Sequence, residues 1–400
     1  MEMLKLTPER RASLDAGFYA TFGAAPTAYF SAPGRSEIGG NHTDHQRGRV
    51  LAAAVNLDTV AAVRENGSDE IVLQSVGYPV TRVSLRELAP KEEEKNTTAS
   101  LVRGVAAKFV ELGCPVRGFD GYIASSVLPG SGLSSSAAYE VLIGTIMNHL
   151  FFDARISQPE IAQIGQYAEN VFFGKPCGLM DQTASAVGGL VTIDFFDKNS
   201  PKIESVGFDF SAAGHALCII DTHASHADLT DEYAAIPQEI RTVCAQLGKE
   251  VLTEIDEADF YAAIPSLRRV CGDRAVMRCI HFYAENARVP QQVAALRRGD
   301  FDEFLRLMKL SGYSSYMYLQ NVIPAGYKTH QDMAIALGLC EHLLGGRGAY
   351  RVHGGGFAGT VQAFVPEDLL PAFRAGIDAA LGEGSCYVLS IRPQGGVRAC

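Results

Sequence analysis

A glycine- and serine-rich segment over residues 128–138, LPGSGLSSSAA, constrains the fold of this chain more than any other feature. It follows a strand-like run and opens a helix, so it predicts a strand, a tight loop and a helix N-terminus in that order. Gly130 and Gly132 let the backbone approach a ligand closely, and the unpaired N–H groups of the first helical turn attract anions. The segment therefore predicts an anion-binding loop, with a plain Gly/Ser turn and helix N-cap as the alternative.

Three consecutive hydroxyls indicate which anion this loop suits. Ser134, Ser135 and Ser136 offer donors for phosphate oxygens and oxygen ligands for Mg²⁺, which prefers such ligands and retains several waters. The motif G-x-x-x-x-G-K-[ST] is absent from the 400 residues, so the segment is not the phosphate loop of P-loop kinases. We expect a phosphate-binding loop of a different kind.

A second polar segment covers residues 32–48, APGRSEIGGNHTDHQRG, and precedes an apolar strand. We predict a loop here, in which Arg35 offers a fixed fork of donors for a carboxylate or phosphate. The mixed donors and acceptors that a polyhydroxylated ligand requires are present at Asn41, His42 and Asp44. The alternatives are a solvated loop with Asx-turns, or a metal site that adds His45 to this set.

Two further carboxylates stand at positions suited to chemistry. Asp181 follows a Pro/Gly turn in residues 174–184, GKPCGLMDQTA. Near a substrate hydroxyl it would accept or orient the proton, and a nearby Arg would keep it ionised. A helix N-terminal Asp that complements the dipole is the alternative. Glu169 ends a helical run and predicts either a metal ligand or an exposed helix-end glutamate.

A fourth segment, residues 351–360 with sequence RVHGGGFAGT, superficially fits the dinucleotide-binding spacing G-x-G-x-x-G through Gly354, Gly356 and Gly359. That fingerprint needs a helix at its third glycine, whereas residues 360–364 are strand-like. The segment predicts a glycine-rich hairpin beside a ligand, with a plain strand–turn–strand as the alternative.

Composition excludes several classes of protein. The net charge of -10, without a basic cluster, gives no support for a nucleic-acid or anionic-membrane surface. Nine scattered cysteines without a C-x-x-C pair indicate free thiols in a reducing compartment. Because the sequence lacks a secretory leader and an apolar run long enough to span a membrane, we expect a soluble, cytoplasmic protein.

The order of patterns along the chain predicts an α+β protein of two domains, over residues 1–205 and 206–400. Helical spacing appears at residues 99–112 and 137–150, and again at 228–247, 274–298, 301–310 and 330–344. Strand-like runs at residues 349–353, 360–364 and 386–390 flank a helical pattern at 369–381.

Together the four segments resemble the GHMP kinase superfamily, which includes galactokinase, homoserine kinase, mevalonate kinase and phosphomevalonate kinase. The motifs occur in the family's order at residues 34–45, 128–138, 169–181 and 353–359, and the first is similar to the galactokinase signature. The resemblance implies an N-terminal domain of ribosomal protein S5 domain 2-like type and a C-terminal ferredoxin-like domain. It also implies transfer of phosphate from ATP to the anomeric hydroxyl of galactose, with a small sugar and ATP as partners.

The resemblance also implies a role for each motif residue. Asp181 would be the catalytic carboxylate and Arg35 its partner. The sugar would contact Asn41, His42, Asp44, Gly178 and Tyr233. The ATP phosphates would lie on Pro129, Gly130, Ser131, Gly132, Leu133, Ser134, Ser135 and Ser136, and the nucleotide would be bordered by Gly354, Gly355 and Gly356. Mg²⁺ would be held by Ser136 and Glu169.

The first motif departs from the galactokinase pattern G-R-x-N-x-I-G-E-H-x-D-Y. This chain has Glu37 for the Asn, Gly39 for the Ile, Asn41 for the Glu and His45 for the Tyr. The family's Glu contacts the sugar near carbon 6, so Asn41 would repel a substrate such as galacturonate less strongly. The alternatives are therefore a related 1-kinase for galacturonate, arabinose or N-acetylgalactosamine, and, from another class, a non-catalytic sensor that binds ATP and sugar.

Overall fold

The computed structural model describes residues 4–127, 132–175, 177–197, 200–224, 229–357 and 359–400. The strands are β1 Ala28–Gly39, β2 Arg49–Glu65, β3 Glu70–Ser75, β4 Thr81–Ser84, β5 Phe119–Ser125, β6 Leu190–Asp194, β7 Lys202–Ser205, β8 His215–Asp221, β9 Ala349–Val352, β10 Thr360–Pro366, β11 Cys386–Leu389 and β12 Val397–Ala399. The α-helices are α1 Pro8–Phe22, α2 Thr98–Glu111, α3 Ser135–Phe151, α4 Gln158–Tyr167, α5 Met180–Val187, α6 Thr230–Gln246, α7 Glu257–Cys271, α8 Asp273–Arg297, α9 Phe301–Ser314, α10 Asp332–Leu344 and α11 Leu370–Leu381. Two π-helical segments, Ala168–Phe173 and Ser315–Leu319, follow α4 and α9.

The first sheet is built around the long strand β2. Its strand order is β12-β1-β2-β5-β3-β4, and β6 with β7 extends from β2 beside β5. One edge of β2 pairs with β1, while the other edge pairs with β6 near its start and with β5 near its end. The contact between β3 and β5 is parallel, and the other pairings are antiparallel.

Helix α3 is the central helix packed on this sheet, and it carries the end of the glycine-serine segment at its N-terminus. Most of its side chains are buried in a core formed by Phe30, Val63, Phe109, Ile143 and Met147, among others. Burial on nearly all sides fixes the position of the helix, because each large apolar side chain removed from water stabilises the packing by about 1.5–3 kcal/mol. The first turn of α3 is therefore held rigidly beside β1.

The second sheet has the strand order β11-β8-β10-β9, with all pairings antiparallel. This is the order of the β-α-β-β-α-β arrangement. Alternate residues of β8 face opposite sides: Leu217 and Ile219 pack towards α8 and α9, whereas Cys218 and Ile220 pack towards α10 and α11. The two-residue period matches the pleat of a strand buried on both faces.

Most predicted elements are confirmed. The helices over residues 99–112, 137–150, 228–247 and 274–298 correspond to α2, α3, α6 and α8, and the late strands to β9, β10 and β11. Helix α7 was not predicted. The mixed α+β class is confirmed by the two sheets and their covering helices.

The loop predicted over residues 32–48 is wrong for its first half. Residues up to Gly39 belong to β1, and all twelve positions of this strand are buried. Polar residues normally mark exposed loops, but Arg35 and Glu37 are buried in ion pairs with Asp181 and Arg351. Their charges are therefore compensated inside the protein.

The chain's last strand, β12, returns to the first sheet and pairs with β1. Residues near it are also tied to that sheet by a buried ion pair, in which Arg392 donates to Asp58 at 2.9 Å. The division into residues 1–205 and 206–400 stays a prediction. Among the described residues, none of the helices has the length and apolar character needed to cross a bilayer.

Candidate active site

An ion pair between Arg35 and Asp181 lies at the centre of the predicted site. Arg35 Nε donates to Asp181 Oδ1 at 2.6 Å, and its NH2 group donates to Oδ2 at 2.7 Å. Arg35 stands on β1, and Asp181 lies in the first turn of α5. The fork of the guanidinium thus fixes both oxygens of the carboxylate, as in other bidentate pairs.

The described end of the glycine-serine segment is tied to the same arginine. The backbone N–H of Arg35 donates to Leu133 O at 3.0 Å, and its NH1 group donates to Gly132 O at 2.5 Å. A Cβ on Gly34 would lie 2.9 Å from Leu133 O, so only glycine permits this approach. The predicted phosphate-loop residues Pro129, Gly130 and Ser131 lie outside the described residues.

Ser134 connects this loop with the carboxylate. It has a left-handed backbone, with φ 56°, and immediately precedes α3. Its hydroxyl donates to Asp181 Oδ2. Ser135 and Ser136 form the first turn of α3, whose N–H groups have no partner within the helix. The positive end of the helix and the carboxylate therefore lie side by side.

Asp181 remains ionised and accessible in this arrangement. Burial alone would raise its pKa, but the Arg35 guanidinium and the Ser134 hydroxyl outweigh that effect and hold the pKa below its usual value. The Asp181 side chain keeps 32% of its surface exposed, against 7% for Arg35. The carboxylate can therefore meet a ligand while its partner stays inside the protein. Its place at the start of α5 also fits the alternative prediction of an Asp that complements the helix dipole.

A second acidic cluster surrounds Glu169, which is buried rather than exposed at a helix end. Ser136 Oγ donates to Glu169 Oε1 at 3.3 Å, and Lys175 Nζ lies 3.7 Å from the same oxygen. The amide of Gln182 donates to Glu169 Oε2 at 2.9 Å and to Glu140 Oε2 at 3.0 Å. Ser136 and Glu169, predicted together as metal ligands, are thus in direct contact.

Sequence reasoning missed Glu140 and Gln182. Burial and the negative charge of Glu169 raise the pKa of Glu140 well above its usual value. Glu140 lies four residues after Ser136 on α3, a spacing that places both on one helix face and could have identified it. For Gln182 the only signal was its position next to Asp181.

Asp44 lies directly against the backbone at Gly178, three residues before Asp181. A Cβ on Gly178 would lie 1.9 Å from Asp44 Oδ2, so a larger residue would displace the carboxylate. Asp44 begins a short 3₁₀ turn, Asp44–Gln46, directly after the turn that contains His42. In the described part of the chain, no cluster of three or more His, Cys, Asp or Glu side chains is arranged to hold a metal ion, at this turn or elsewhere.

The glycine-rich segment forms the hairpin turn between β9 and β10, which pair antiparallel. The backbone carbonyls of its three consecutive glycines accept hydrogen bonds from three residues predicted to contact the sugar. Asn41 Nδ2 lies 2.7 Å from Gly354 O, His42 Nε2 lies 3.1 Å from Gly355 O, and Tyr233 Oη lies 2.7 Å from Gly356 O. The hairpin and the first motif therefore form one continuous wall.

Asn41 is completely buried, and both ends of its amide are bonded. Besides Gly354 O, its Nδ2 donates to the carboxylate of Glu37 at 3.0 Å. Its Oδ1 accepts from Asn321 at 2.9 Å and from Ser315 at 3.2 Å. The amide predicted as a sugar contact is therefore part of a buried network between β1 and the segment after α9.

His42 differs from Asn41 because one of its ring nitrogens is buried without a hydrogen-bond partner among the described residues, namely Nδ1. Its other nitrogen, Nε2, faces a carbonyl and therefore carries the proton. Burial and the nearby His45 lower the pKa of His42 to about 3. The ring is neutral and presents Nδ1 as a free acceptor.

Comparison with known proteins agrees with these motifs. The family model "GHMP kinases N terminal domain" matches residues 100–189, and "Galactokinase galactose-binding signature" matches residues 16–65. The galactokinase of Streptomyces coelicolor is 32% identical over 387 residues, which cover 95% of this chain and 96% of that protein. The galactokinase of Actinobacillus pleuropneumoniae is 31% identical over 372 residues, which cover 92% of both chains.

A solved structure gives the same result for the fold. The Lactococcus lactis galactokinase complexed with galactose superposes with a TM-score of 0.83 at 24% identity, over 96% of this chain and 99% of that one. The GHMP kinase fold expected from the sequence is therefore confirmed. With the extent of the sequence identity to the two bacterial galactokinases, it shows that the chain belongs to the galactokinase family of the GHMP kinases.

Proposed function

We propose that this chain transfers the terminal phosphoryl group of ATP to the anomeric hydroxyl of galactose, giving galactose 1-phosphate and ADP. The observation that carries the proposal is the bidentate pair of Arg35 and Asp181, placed against the described end of the glycine-serine loop. The names of the bacterial relatives support the choice of substrate.

Asp181 is the residue that acts on the sugar hydroxyl. A carboxylate with a lowered pKa is a weak base at neutral pH, so its main role is to orient the hydroxyl and to receive its proton as the phosphoryl group is transferred. Arg35 keeps the carboxylate ionised and in place. Positioning of this kind supplies much of the rate acceleration in phosphoryl transfer.

The nucleotide phosphates bind at the N-terminus of α3. Gly132 and Leu133 place the backbone next to Arg35, and the free N–H groups of the first helical turn stabilise negative charge on the transferring group. A Cβ on Gly132 would lie 2.6 Å from Thr360 Oγ1, so glycine is required for the loop to pack on the hairpin. The hairpin glycines Gly354, Gly355 and Gly356 border the nucleotide.

The residues around Glu169 fit a bound Mg²⁺. The Ser136 hydroxyl and the Glu169 carboxylate are adjacent oxygen donors, which suit a hard cation, and buried Glu169 has only the distant ammonium of Lys175 as a cationic partner among the described residues. When bound, Mg²⁺ supplies charge neutralisation at the phosphate oxygens. Ser136 and Glu169 would hold it, and Gln182 fixes the orientation of Glu169.

The sugar lies between the first motif and α5. Asp44 and the Gly178 backbone form one side, and Tyr233 reaches the same wall from α6. His42 presents its buried, unpartnered Nδ1 as an acceptor for a sugar hydroxyl. Asn41 is buried beneath these residues and holds the first motif against the hairpin through its hydrogen bonds to Gly354 and Glu37. Nine free cysteines are in keeping with a reducing, cytoplasmic setting for the reaction.

An ADP-release assay over a panel of sugars tests the proposal. We expect turnover on galactose, with galactose 1-phosphate identified by ³¹P NMR, to exceed turnover on galacturonate, arabinose and N-acetylgalactosamine. Preference for another sugar of the panel would leave the reaction type standing and replace the substrate. Binding of ATP and galactose by calorimetry without any ADP release would instead favour a non-catalytic sensor.

A further inference from the structure

His353, which directly follows β9, is buried between the first motif and the hairpin. Its Nε2 lies 3.3 Å from the backbone nitrogen of Glu37 and 3.1 Å from Ser36 Oγ. Its Nδ1 lies 3.0 Å from Thr360 Oγ1. One imidazole ring therefore bridges β1 and the first residue of β10.

The partners of the ring determine its tautomer. A backbone N–H can only donate, so the Nε2 atom that faces Glu37 must be an acceptor. Ser36 fits this assignment, because its oxygen already accepts from Gln362 at 2.8 Å and its own proton is free for Nε2. The proton of the neutral ring therefore sits on Nδ1 and is donated to Thr360.

Each end of this bridge contacts residues that adjoin the proposed reacting groups. At the Nε2 end, Ser36 and Glu37 directly follow Arg35 on β1. At the Nδ1 end, Thr360 and the ring form the surface on which Gly132 rests, since a Cβ on Gly132 would lie 2.6 Å from Thr360 Oγ1 and 3.1 Å from His353 Nδ1. Arg35 itself donates to Gly132 O.

Charge around the ring keeps it neutral. Burial lowers the pKa of His353 well below its ordinary value, and the nearby cations Arg35 and Arg351 act in the same direction. The Asp181 carboxylate opposes them only in part. A protonated ring would also lose its acceptor for the Glu37 N–H, so the geometry and the charges favour the same neutral form.

We propose that His353 is a positioning residue for phosphoryl transfer, which fixes Arg35 through Ser36 and Glu37 and supports Gly132 of the phosphate loop through Thr360. The role rests on the proposed function. It accounts for a buried histidine that contacts neither Asp181 nor the sugar-side residues Asp44 and Gly178, and it links the C-terminal hairpin to the catalytic pair.

Three substitutions separate the two ends of the bridge. The longer side chain of His353→Gln can place an acceptor near the position of Nε2. The shorter side chain of His353→Asn can place a donor near the position of Nδ1, and His353→Ala removes both groups. We expect kcat to fall at least about tenfold in the Asn and Ala variants, which lose the Nε2 contacts beside Arg35, and only about threefold in the Gln variant, which loses the Thr360 contact alone. His330→Gln, at an exposed position, is the matched control.

The pattern of kinetic constants distinguishes positioning from loss of folded protein. The KM for galactose should remain within about twofold of the wild-type value, because the substitutions leave Asp44 and Gly178 unchanged. The concentration of folded enzyme is measured as the number of galactose-binding sites in calorimetry, and kcat is calculated per binding site. Equal rates in the Gln and Asn variants, or an unchanged kcat per binding site in the Ala variant, would overturn the proposal. If the wild type itself phosphorylates no sugar, the proposed function fails instead.

A spectroscopic measurement tests the bridge without relying on activity. In NMR spectra of protein labelled with ¹⁵N-histidine, the ring resonances of His353 are assigned as those that disappear in His353→Gln. We expect a neutral ring with its proton on Nδ1 and no titration from about pH 5.5 to 8.5. A proton on Nε2, or a titration within this range, contradicts the bridge whatever the enzyme phosphorylates.

Discussion

The side-chain amide of Asn41 donates to both carboxylate oxygens of Glu37, at 3.0 and 3.3 Å. Both residues are buried, and Glu37 also receives the guanidinium of Arg351. These are two positions at which the chain departs from the galactokinase pattern, with Glu for Asn and Asn for Glu. The exchange leaves one carboxylate and one amide in direct contact at the two positions, so we expect the two positions to be energetically coupled.

This coupling predicts a strong effect of reversing only one position. Asn41→Glu would place a second buried carboxylate beside Glu37, and Glu37→Asn would leave Arg351 without its main counter-ion. We expect each to lower the free energy of unfolding by about 3–5 kcal/mol, because each leaves a buried charge without a partner. Guanidinium unfolding of the single variants and of the double variant measures the coupling. We expect the double variant to lose less stability than the sum of the losses in the two single variants. If the two losses simply add, the two positions are not energetically coupled.

Removing the charge of Asp181 should abolish most of the activity without abolishing binding. We expect Asp181→Asn to lower kcat at least about 100-fold, because the neutral amide cannot accept the proton of the sugar hydroxyl. Galactose and ATP should still bind in calorimetry. Asp302→Asn, an exposed position on α9, is the matched control. A folded Asp181→Asn enzyme with normal turnover would disprove the catalytic assignment.

Arg35 should determine the acid side of the pH–rate profile. Burial alone would raise the pKa of Asp181, and Arg35 is the main group that lowers it. In Arg35→Gln the acid limb of kcat/KM should therefore move to higher pH, by about 1–3 units, in addition to a lower plateau. In profiles from pH 4.5 to 9, the wild type should show no acid limb from Asp181, whereas the limb should enter this range in Arg35→Gln. The exposed Arg306→Gln on α9 should leave the limb in place, and an unmoved limb in Arg35→Gln would assign it to another group.

The sequence predicted most of the regular elements, because hydrophobic periodicity and glycine-rich turns are local signals, and the roles of the motif residues stay predictions. It failed for β1, where Arg35 and Glu37 read as loop residues. Their partners lie 146 and 314 residues further along the chain, so no local pattern shows that the charges are paired and buried. The same reason hid His353, which the sequence offered only as a neighbour of glycines.

Gly178 should be irreplaceable on the sugar side of the site. A methyl group there would lie 1.9 Å from Asp44 Oδ2 and force the carboxylate to move. We expect Gly178→Ala to raise the KM for galactose at least about tenfold while the KM for ATP changes little, because displacement by about 1 Å is enough to disturb a binding geometry. Gly207→Ala is the control, since a Cβ there meets nothing within 4 Å. An unchanged galactose KM would separate Asp44 from the sugar site.

The neutral His42 should make the protein less stable in mild acid. Its pKa is about 3 in the folded chain, lowered by burial and by His45, against about 6.5 when unfolded. Below about pH 6.5 the unfolded chain therefore binds one more proton than the folded one. This contribution to stability is complete above pH 6.5 and falls by about 1.4 kcal/mol per pH unit as the pH drops towards 3.

His42→Gln removes this proton linkage, whereas the exposed His330→Gln keeps it. Between pH 7 and pH 5 we expect the free energy of unfolding to fall by about 2 kcal/mol less in His42→Gln than in His330→Gln. Urea unfolding at the two pH values measures the difference. The lowered pKa of His353 also makes the protein less stable in acid, but His353 is present in both variants, so its contribution cancels in the comparison. Equal losses would mean that His42 is protonated in the folded chain, and then Nδ1 could not accept a hydroxyl of the sugar.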